Sequence, residues 1–274
     1  MQPLLLNGND VEYARILQEN FINTEVTTPF VEFMEFCRTN KKQELYTHVR
    51  TLLIQNPIYH KVLGNFLMRE VGNLQEEAKI FFSIFYEKIP AYKVIDDQLT
   101  LCPYCGSPLS HQQNRYECEF YKCRYYCEKG NFNKWGKFVQ IDYKEQLQLK
   151  KEVLHAITIP GISELRIYDA LKKEQKVSNV ELFPECDLGD IALKKNNEHW
   201  LIDVKDYLNA HDLLRELNTK PNYRFARKQY AQQIIVVPKF HSKKYVQYIE
   251  RRLESGVNYT ILHEYDLLKK VREA

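Results

Sequence analysis

Apolar residues recur every three or four positions through VEYARILQENF, PFVEFMEFC, LYTHVRTLLI and EEAKIFFSIFY, all ahead of residue 95. That spacing predicts helices that each bury one stripe. Thr27-Thr28-Pro29, Asn56-Pro57 and Ile89-Pro90 punctuate them, because the residue before a proline is driven out of the helical region. The pattern breaks over 100–139, where Cys, Gly, Pro, Asn and Tyr replace the periodic apolar positions. From about 145 it is mixed. Helices are expected over 144–156 and 163–174, strand-like runs over 187–195 and 198–206, then a helix, a strand over 233–237 and a closing helix over 241–254. The fold class is therefore α/β (α+β), in three units: a helical N-terminal domain (1–98), a cysteine module (99–140) and an α/β domain (141–274).

Composition changes this picture little. Hydrophobic residues at 44% and charged residues at 27% are ordinary for a globular protein with a core. The longest clean apolar run is Ile234-Ile235-Val236-Val237, far short of a membrane span, and the N-terminus lacks a basic leader, so the expected location is the cytoplasm. Charge adds a local feature. The net charge is only +3, yet between Arg215 and Arg252 basic residues far outnumber the two acids, Glu216 and Glu250. Such a surplus suits a phosphate-facing surface, with a solvated helix face as the bland alternative. Lys220, Arg224, Arg227 and Lys228 are the candidate backbone contacts.

Five of the seven cysteines lie between Cys102 and Cys127. Cys102-x2-Cys105, with Pro103 and Gly106 shaping the turn, offers two thiolates from one knuckle. Cys118 and Cys123 follow after a short spacer and close a four-thiolate structural zinc site, with Cys127 an alternative to Cys123. Disulfides are disfavoured in a chain that nothing exports. Arg115, Lys122, Arg124, Tyr125 and Tyr126 would suit nucleic-acid contact, and Cys37 and Cys186 read as isolated buried residues.

The most informative segment is DLGDIALKKNNEHWLIDVKDY, residues 187–207. Asparagine tolerates positive φ, so Asn196-Asn197 fits a two-residue hairpin turn. That turn places Asp190 opposite Asp203 and Leu193 opposite Trp200. Ile191, Leu193, Trp200, Ile202 and Val204 then share one face, and Asp190, Asp203 and Lys205 share the other with Ala192 and Leu201. Paired carboxylates across strands repel, and a divalent cation is the usual remedy; an exposed edge or a shifted register is the alternative. Asp187 has the wrong parity and would join only through a bulge near Gly189, while Asp206 ends the strand.

Asp190, an apolar strand, and then Asp203-Val204-Lys205 resemble the PD-(D/E)xK restriction-endonuclease-like superfamily. PGISEL, LFPECDLGDIAL, HWLIDVKDYLN and IIVVP, with a cysteine-rich segment ahead of them, are similar more narrowly to the restriction-endonuclease-like proteins associated with prokaryotic PIWI-type (pPIWI-RE) defence systems. The literal Pro-Asp pair is absent, since Pro184 precedes Glu185-Cys186. The resemblance implies a central mixed sheet flanked by helices, preceded by a zinc-ribbon-like module. It implies a Mg- or Mn-dependent DNA endonuclease in an anti-phage or anti-plasmid complex, with a PIWI-like partner and a DinG-type helicase nearby. The alternative is a catalytically silent nucleic-acid-binding scaffold of such a complex. It implies a further acid on a preceding helix, where Glu164 follows Ser163, a candidate N-cap, and shares a face with Tyr168 and Leu171; a first-turn glutamate favoured by the helix dipole is the bland reading. Glu164, Asp190, Asp203 and the Val204 carbonyl would hold the ion, and Lys205 would orient water.

Overall fold

A computed structural model describes residues 28–60, 84–112, 115–130, 140–144, 146–219, 229–254 and 258–273. The first predicted helix, VEYARILQENF, and the basic positions Lys220, Arg224, Arg227 and Lys228 lie outside the described residues.

Two helices open the described chain, α1 (Thr28–Thr39) and α2 (Gln43–Gln55). The segment to 98 is not helical throughout. It carries β1 (Ile58–His60), β2 (Tyr86–Lys88), β3 (Val94–Ile95) and the start of β4 (Gln98–Thr100). β5 (Ser110–Gln112), β6 (Arg115–Glu117) and α3 (Tyr121–Gly130) form the cysteine module, and β7 (Gln140–Asp142) pairs with β4. Within the helix expected over 144–156, β8 (Gln146–Leu149) runs between β1 and β2, across the expected boundary at 141. QLQL alternates with period two, and partners on both sides make the strand the better solution.

A helical turn (Lys151–Val153) and a π-helical turn (Leu154–Thr158) lead into α4 (Ile159–Lys172). Pro160 lies in the first turn of α4, where its ring would crowd the preceding carbonyls of a regular helix; the wider π turn relieves that. Ser163 therefore sits inside the helix, fully buried, rather than capping it.

The remaining strands, β9 (Val177–Leu182), β10 (Ile191–Lys195), β11 (Glu198–Val204), β12 (Gln232–Val237) and β13 (Thr260–His263), form one mixed sheet in the order β13-β12-β11-β10-β9. β9, β10 and β11 are antiparallel, while β11, β12 and β13 are parallel. Asn196 (φ 48°) and Asn197 (φ 65°) make the expected tight turn, and Leu193 pairs with Trp200 as expected.

The sheet is covered on both faces. Ile191, Leu193, Trp200, Ile202, Ile234 and Val236 pack with Ile167 and Leu171 of α4 and with Leu267 and Val271 of α7 (Glu264–Arg272). Ala192, Leu201, Ile235 and Val237 pack instead with Leu213 and Leu217 of α5 (Ala210–Thr219) and Val246 and Ile249 of α6 (Lys243–Glu250). Two-sided burial explains why β12 is a continuous apolar run while the hairpin alternates only in part. Among the described residues no helix is long and apolar enough to cross a membrane.

Candidate active site

The hairpin register and three local bonds build the site. Asp190 stands just before β10, its amide donating to the Ile202 carbonyl (3.0 Å). Its Oδ2 accepts from the Val204 amide at 2.6 Å, which ties one acid to the strand that carries the other. Asp203 is 1% exposed, and the Lys205 amide donates to Val236 O (2.8 Å), holding the strand's end against β12. Lys205 Nζ then lies 3.1 Å from Asp203 Oδ2.

Glu164 projects from the middle of α4 and is 3% exposed. A first-turn position stabilised by the helix dipole is thereby excluded. The approach of α4 to α2 depends on Gly161, where a Cβ would stand 2.4 Å from Ile54 Cδ1. One turn ahead of Ile54 on α2 is Arg50, and one turn beyond Gly161 on α4 is Glu164, so close packing of the two helices brings these side chains together.

Arg50 is the member of this cluster that the sequence alone did not reveal. It is 6% exposed, and its Nη2 lies 2.9 Å from Glu164 Oε2 and 3.7 Å from Asp190 Oδ1. Nη1 donates to Asp187 Oδ1, and the guanidinium stacks over Phe183 at 3.9 Å. Asp187 reaches this cluster through backbone conformation, with no bulge at Gly189. Phe183, Glu185, Cys186 and Asp187 all adopt positive φ, from 50° to 79°. Each such residue costs on the order of 1–2 kcal/mol. α1 and α2 hold the turn in place: Arg38 Nε donates to Cys186 O (2.8 Å), Gln43 Nε2 to Phe183 O (2.8 Å) and the Cys186 amide to Gln43 Oε1 (2.6 Å).

Four carboxylates, Glu164, Asp187, Asp190 and Asp203, thus face two cations, Arg50 and Lys205. Burial pushes the Glu164 carboxyl up to about 7, with Arg50 pulling down and Asp187 and Asp203 adding to the rise. Asp190 is also raised, by burial first and then by the negative charge of Glu164 and Asp203. The excess of buried hard oxygen donors is what a divalent cation would offset, and their chemistry suits one, although the acids stand wider apart than the ligand atoms of the cysteine set described below.

Residues 161–274 match the family model described as REase associating with pPIWI_RE. This segment is similar to that restriction-endonuclease-like family. No curated protein matches the sequence. Among solved structures, Can2 from Sulfobacillus thermosulfidooxidans in complex with cyclic tetra-adenylate aligns over 89% of this chain and 57% of its own, at 10% identity and a TM-score of 0.31. The present chain thus spans little more than half the length of that protein, and a likeness this low carries no argument. Glu164, Asp187, Asp190, Asp203 and Lys205 all fall within the REase-like segment, whereas Arg50 and the cysteines from Cys102 to Cys127 precede it.

Ahead of that segment, Cys102, Cys105, Cys118 and Cys123 converge. All four are buried, and their sulfurs lie within 4.8 Å of one another, a set that could hold zinc. Cys123 is the fourth member of this set, and Cys127 is also buried and within reach of Cys102. Gly106 makes the knuckle possible in two ways: its φ is 70°, and a Cβ there would meet Pro57 Cγ at 2.6 Å.

A second buried polar cluster joins the cysteine module to the REase-like segment. Asp206, directly after Lys205, accepts from Tyr126 Oη and lies 3.1 Å from both His241 Nε2 and Lys122 Nζ. His241, Lys122 and Tyr126 together hold its carboxyl below the usual range, against the opposing effect of burial. Asp206 is thus an anchor rather than a simple strand end. Lys122 and Tyr126 of α3 point inward to it, which removes both from a nucleic-acid surface.

Proposed function

We propose that the protein is a metal-dependent DNA endonuclease of a prokaryotic defence complex, with a PIWI-like protein as its partner and a DinG-type helicase as a further component. The observation that carries this reading is the meeting of Glu164, Asp190 and Asp203 in one buried site, with Lys205 in contact with Asp203, inside the segment that matches the pPIWI-associated family. Glu164, Asp190, Asp203 and the Val204 carbonyl would hold Mg²⁺ or Mn²⁺. Such an ion supplies charge neutralisation at the scissile phosphate and a more acidic bound water.

The chain's own residues do the rest. Lys205, pinned through its backbone to Val236 and through its ammonium to Asp203, orients the attacking water and offsets charge developing on the phosphoryl oxygens. Lys220, Arg224, Arg227 and Lys228 hold the DNA backbone without reading bases, so target choice falls to the partner. Zinc on the four cysteines stabilises the module that anchors Asp206.

A second reading, a silent nucleic-acid-binding scaffold, is favoured by one observation: Arg50 already occupies the space between the acids. Incubation of the full chain with supercoiled DNA, with Mg²⁺ or EDTA and with or without the PIWI-like partner, separates the two. The nuclease reading expects Mg²⁺-dependent nicking that disappears in Asp203→Ala and falls by several orders of magnitude in Lys205→Ala. Nicking that survives in Asp203→Ala, or its absence even with the partner present, sinks the nuclease reading.

A further inference from the structure

We infer that Arg50 is the resident cation of the acid site, and that a divalent ion enters by displacing its guanidinium. This inference rests on the reading of the site as a divalent-ion centre and names what governs its loading. Nη2 lies 2.9 Å from Glu164 Oε2 and 3.7 Å from Asp190 Oδ1, so it fills the space that an ion shared by those two carboxylates would need. Nη1 holds Asp187 from the other side. Among the described residues only the cysteines bring their ligand atoms to mutual metal-binding spacing. The three acids wait around the guanidinium at wider separation.

The element that delivers Arg50 is also the one that shapes the site's wall. Gln43, Thr47 and Arg50 fall at i, i+4 and i+7 on α2 and line up along one side of it. Gln43 bonds the carbonyl of Phe183 and the amide of Cys186, and Thr47 Oγ1 donates to Leu182 O at 3.2 Å. A single stripe of α2 therefore grips the left-handed turn and plugs the acids at once. Beside that turn lies a cleft of about 790 Å³ lined by Arg38, Gln43, Glu185, Cys186 and Asp187, which gives an ion a route to Asp187. α2 precedes the family-matched segment, so control of loading is built into the part of the chain outside the REase-like region. A shift of α2, rather than a change in the acids themselves, is what frees the site.

Two readouts on the full-length chain test this without any cleavage assay. Mn²⁺ titration by calorimetry compares wild type with Arg50→Met, Arg50→Lys and Arg50→Met/Asp203→Asn. Phenylglyoxal labelling of wild type, mapped by mass spectrometry, follows the accessibility of Arg50 with and without Mg²⁺. Arg50→Met is expected to bind Mn²⁺ at least tenfold more tightly than wild type. Arg50→Lys should stay nearer wild type, and the added Asp203→Asn should abolish the gain. Labelling of wild-type Arg50 should rise when Mg²⁺ is bound. Binding by Arg50→Met no tighter than wild type, a gain that survives Asp203→Asn, or unchanged labelling with Mg²⁺ bound overturns the inference while leaving the ion site intact. Absence of Mn²⁺ binding in every protein overturns the ion-site reading as well. Should Arg50→Met not fold, the labelling arm on wild type decides alone.

Discussion

Glu164 poses a contest between burial and ion pairing that a neutral isostere can decide. Its carboxyl is almost fully enclosed, and its pKa stands at about 7 rather than the ordinary 4.5 despite Arg50 at 2.9 Å. Between those two pH values the folded chain binds more protons than the unfolded one, so stability falls as pH rises through that window and levels off above it. Each pH unit is worth about 1.4 kcal/mol, which makes the loss on the order of 3 kcal/mol by pH 7. The raised pKa of Asp190 adds to it in the same direction. Glu164→Gln keeps an acceptor for Arg50 and removes the titration. In buffer cleared of Mg²⁺ and Mn²⁺, thermal unfolding from pH 5 to 8 should show a shallower pH dependence for the variant. At pH 8 it should be more stable than wild type by about 1–3 kcal/mol, a gain of several degrees in Tm. If Glu164→Gln is instead clearly less stable than wild type at pH 8, attraction to Arg50 outweighs desolvation and the argument from burial is wrong.

Other consequences can be checked separately. Cys118→Ser opens the four-sulfur set, so elemental analysis should find zinc with the wild type and little with the variant, whose module should unfold at lower temperature. Asp206→Asn strips the Lys122, Tyr126 and His241 cluster of its charge and should cost about 3 kcal/mol in denaturant unfolding. Because Asp206 adjoins Lys205, DNA cleavage should fall as well, with Mn²⁺ affinity little changed. Gly161→Ala would ordinarily favour a helix by about 1 kcal/mol. Here the added methyl meets Ile54 at 2.4 Å, so a net loss of about 1–2 kcal/mol is expected, with Arg50 and Glu164 pushed apart.

Local chemistry made the hairpin legible from the chain alone. Two asparagines tolerate positive φ, and their turn sets every pair from Ile191–Ile202 to Lys195–Glu198, with the apolar set on one face. The cysteine spacing likewise pointed to four convergent thiols, since a knuckle and a nearby pair demand little of the rest of the fold. Weaker periodic signals misled. QLQL could join a helix until β1 and β2 offered it partners, and Ser163 looked like a cap until the π turn let α4 begin earlier. β9, β13 and α7 were not anticipated, because their short patterns become distinctive only once neighbours cover them.

What no reading along the chain could supply is the electrostatic content of the site. Arg50 lies 114 residues from Glu164 and 137 from Asp187, in a helix whose sequence says only that it is amphipathic. Asp187 has the wrong strand parity and joins through consecutive left-handed residues that α1 and α2 hold in place. Asp206 meets Lys122 and Tyr126 on a helix of the cysteine module, far from it along the chain. Turn type, strand alternation and ligand spacing act over a few residues, so the chain itself determined them. Which cation meets which acid depends on helices packing across the sheet, with Gly161 against Ile54 setting the approach, and only the tertiary structure decided that.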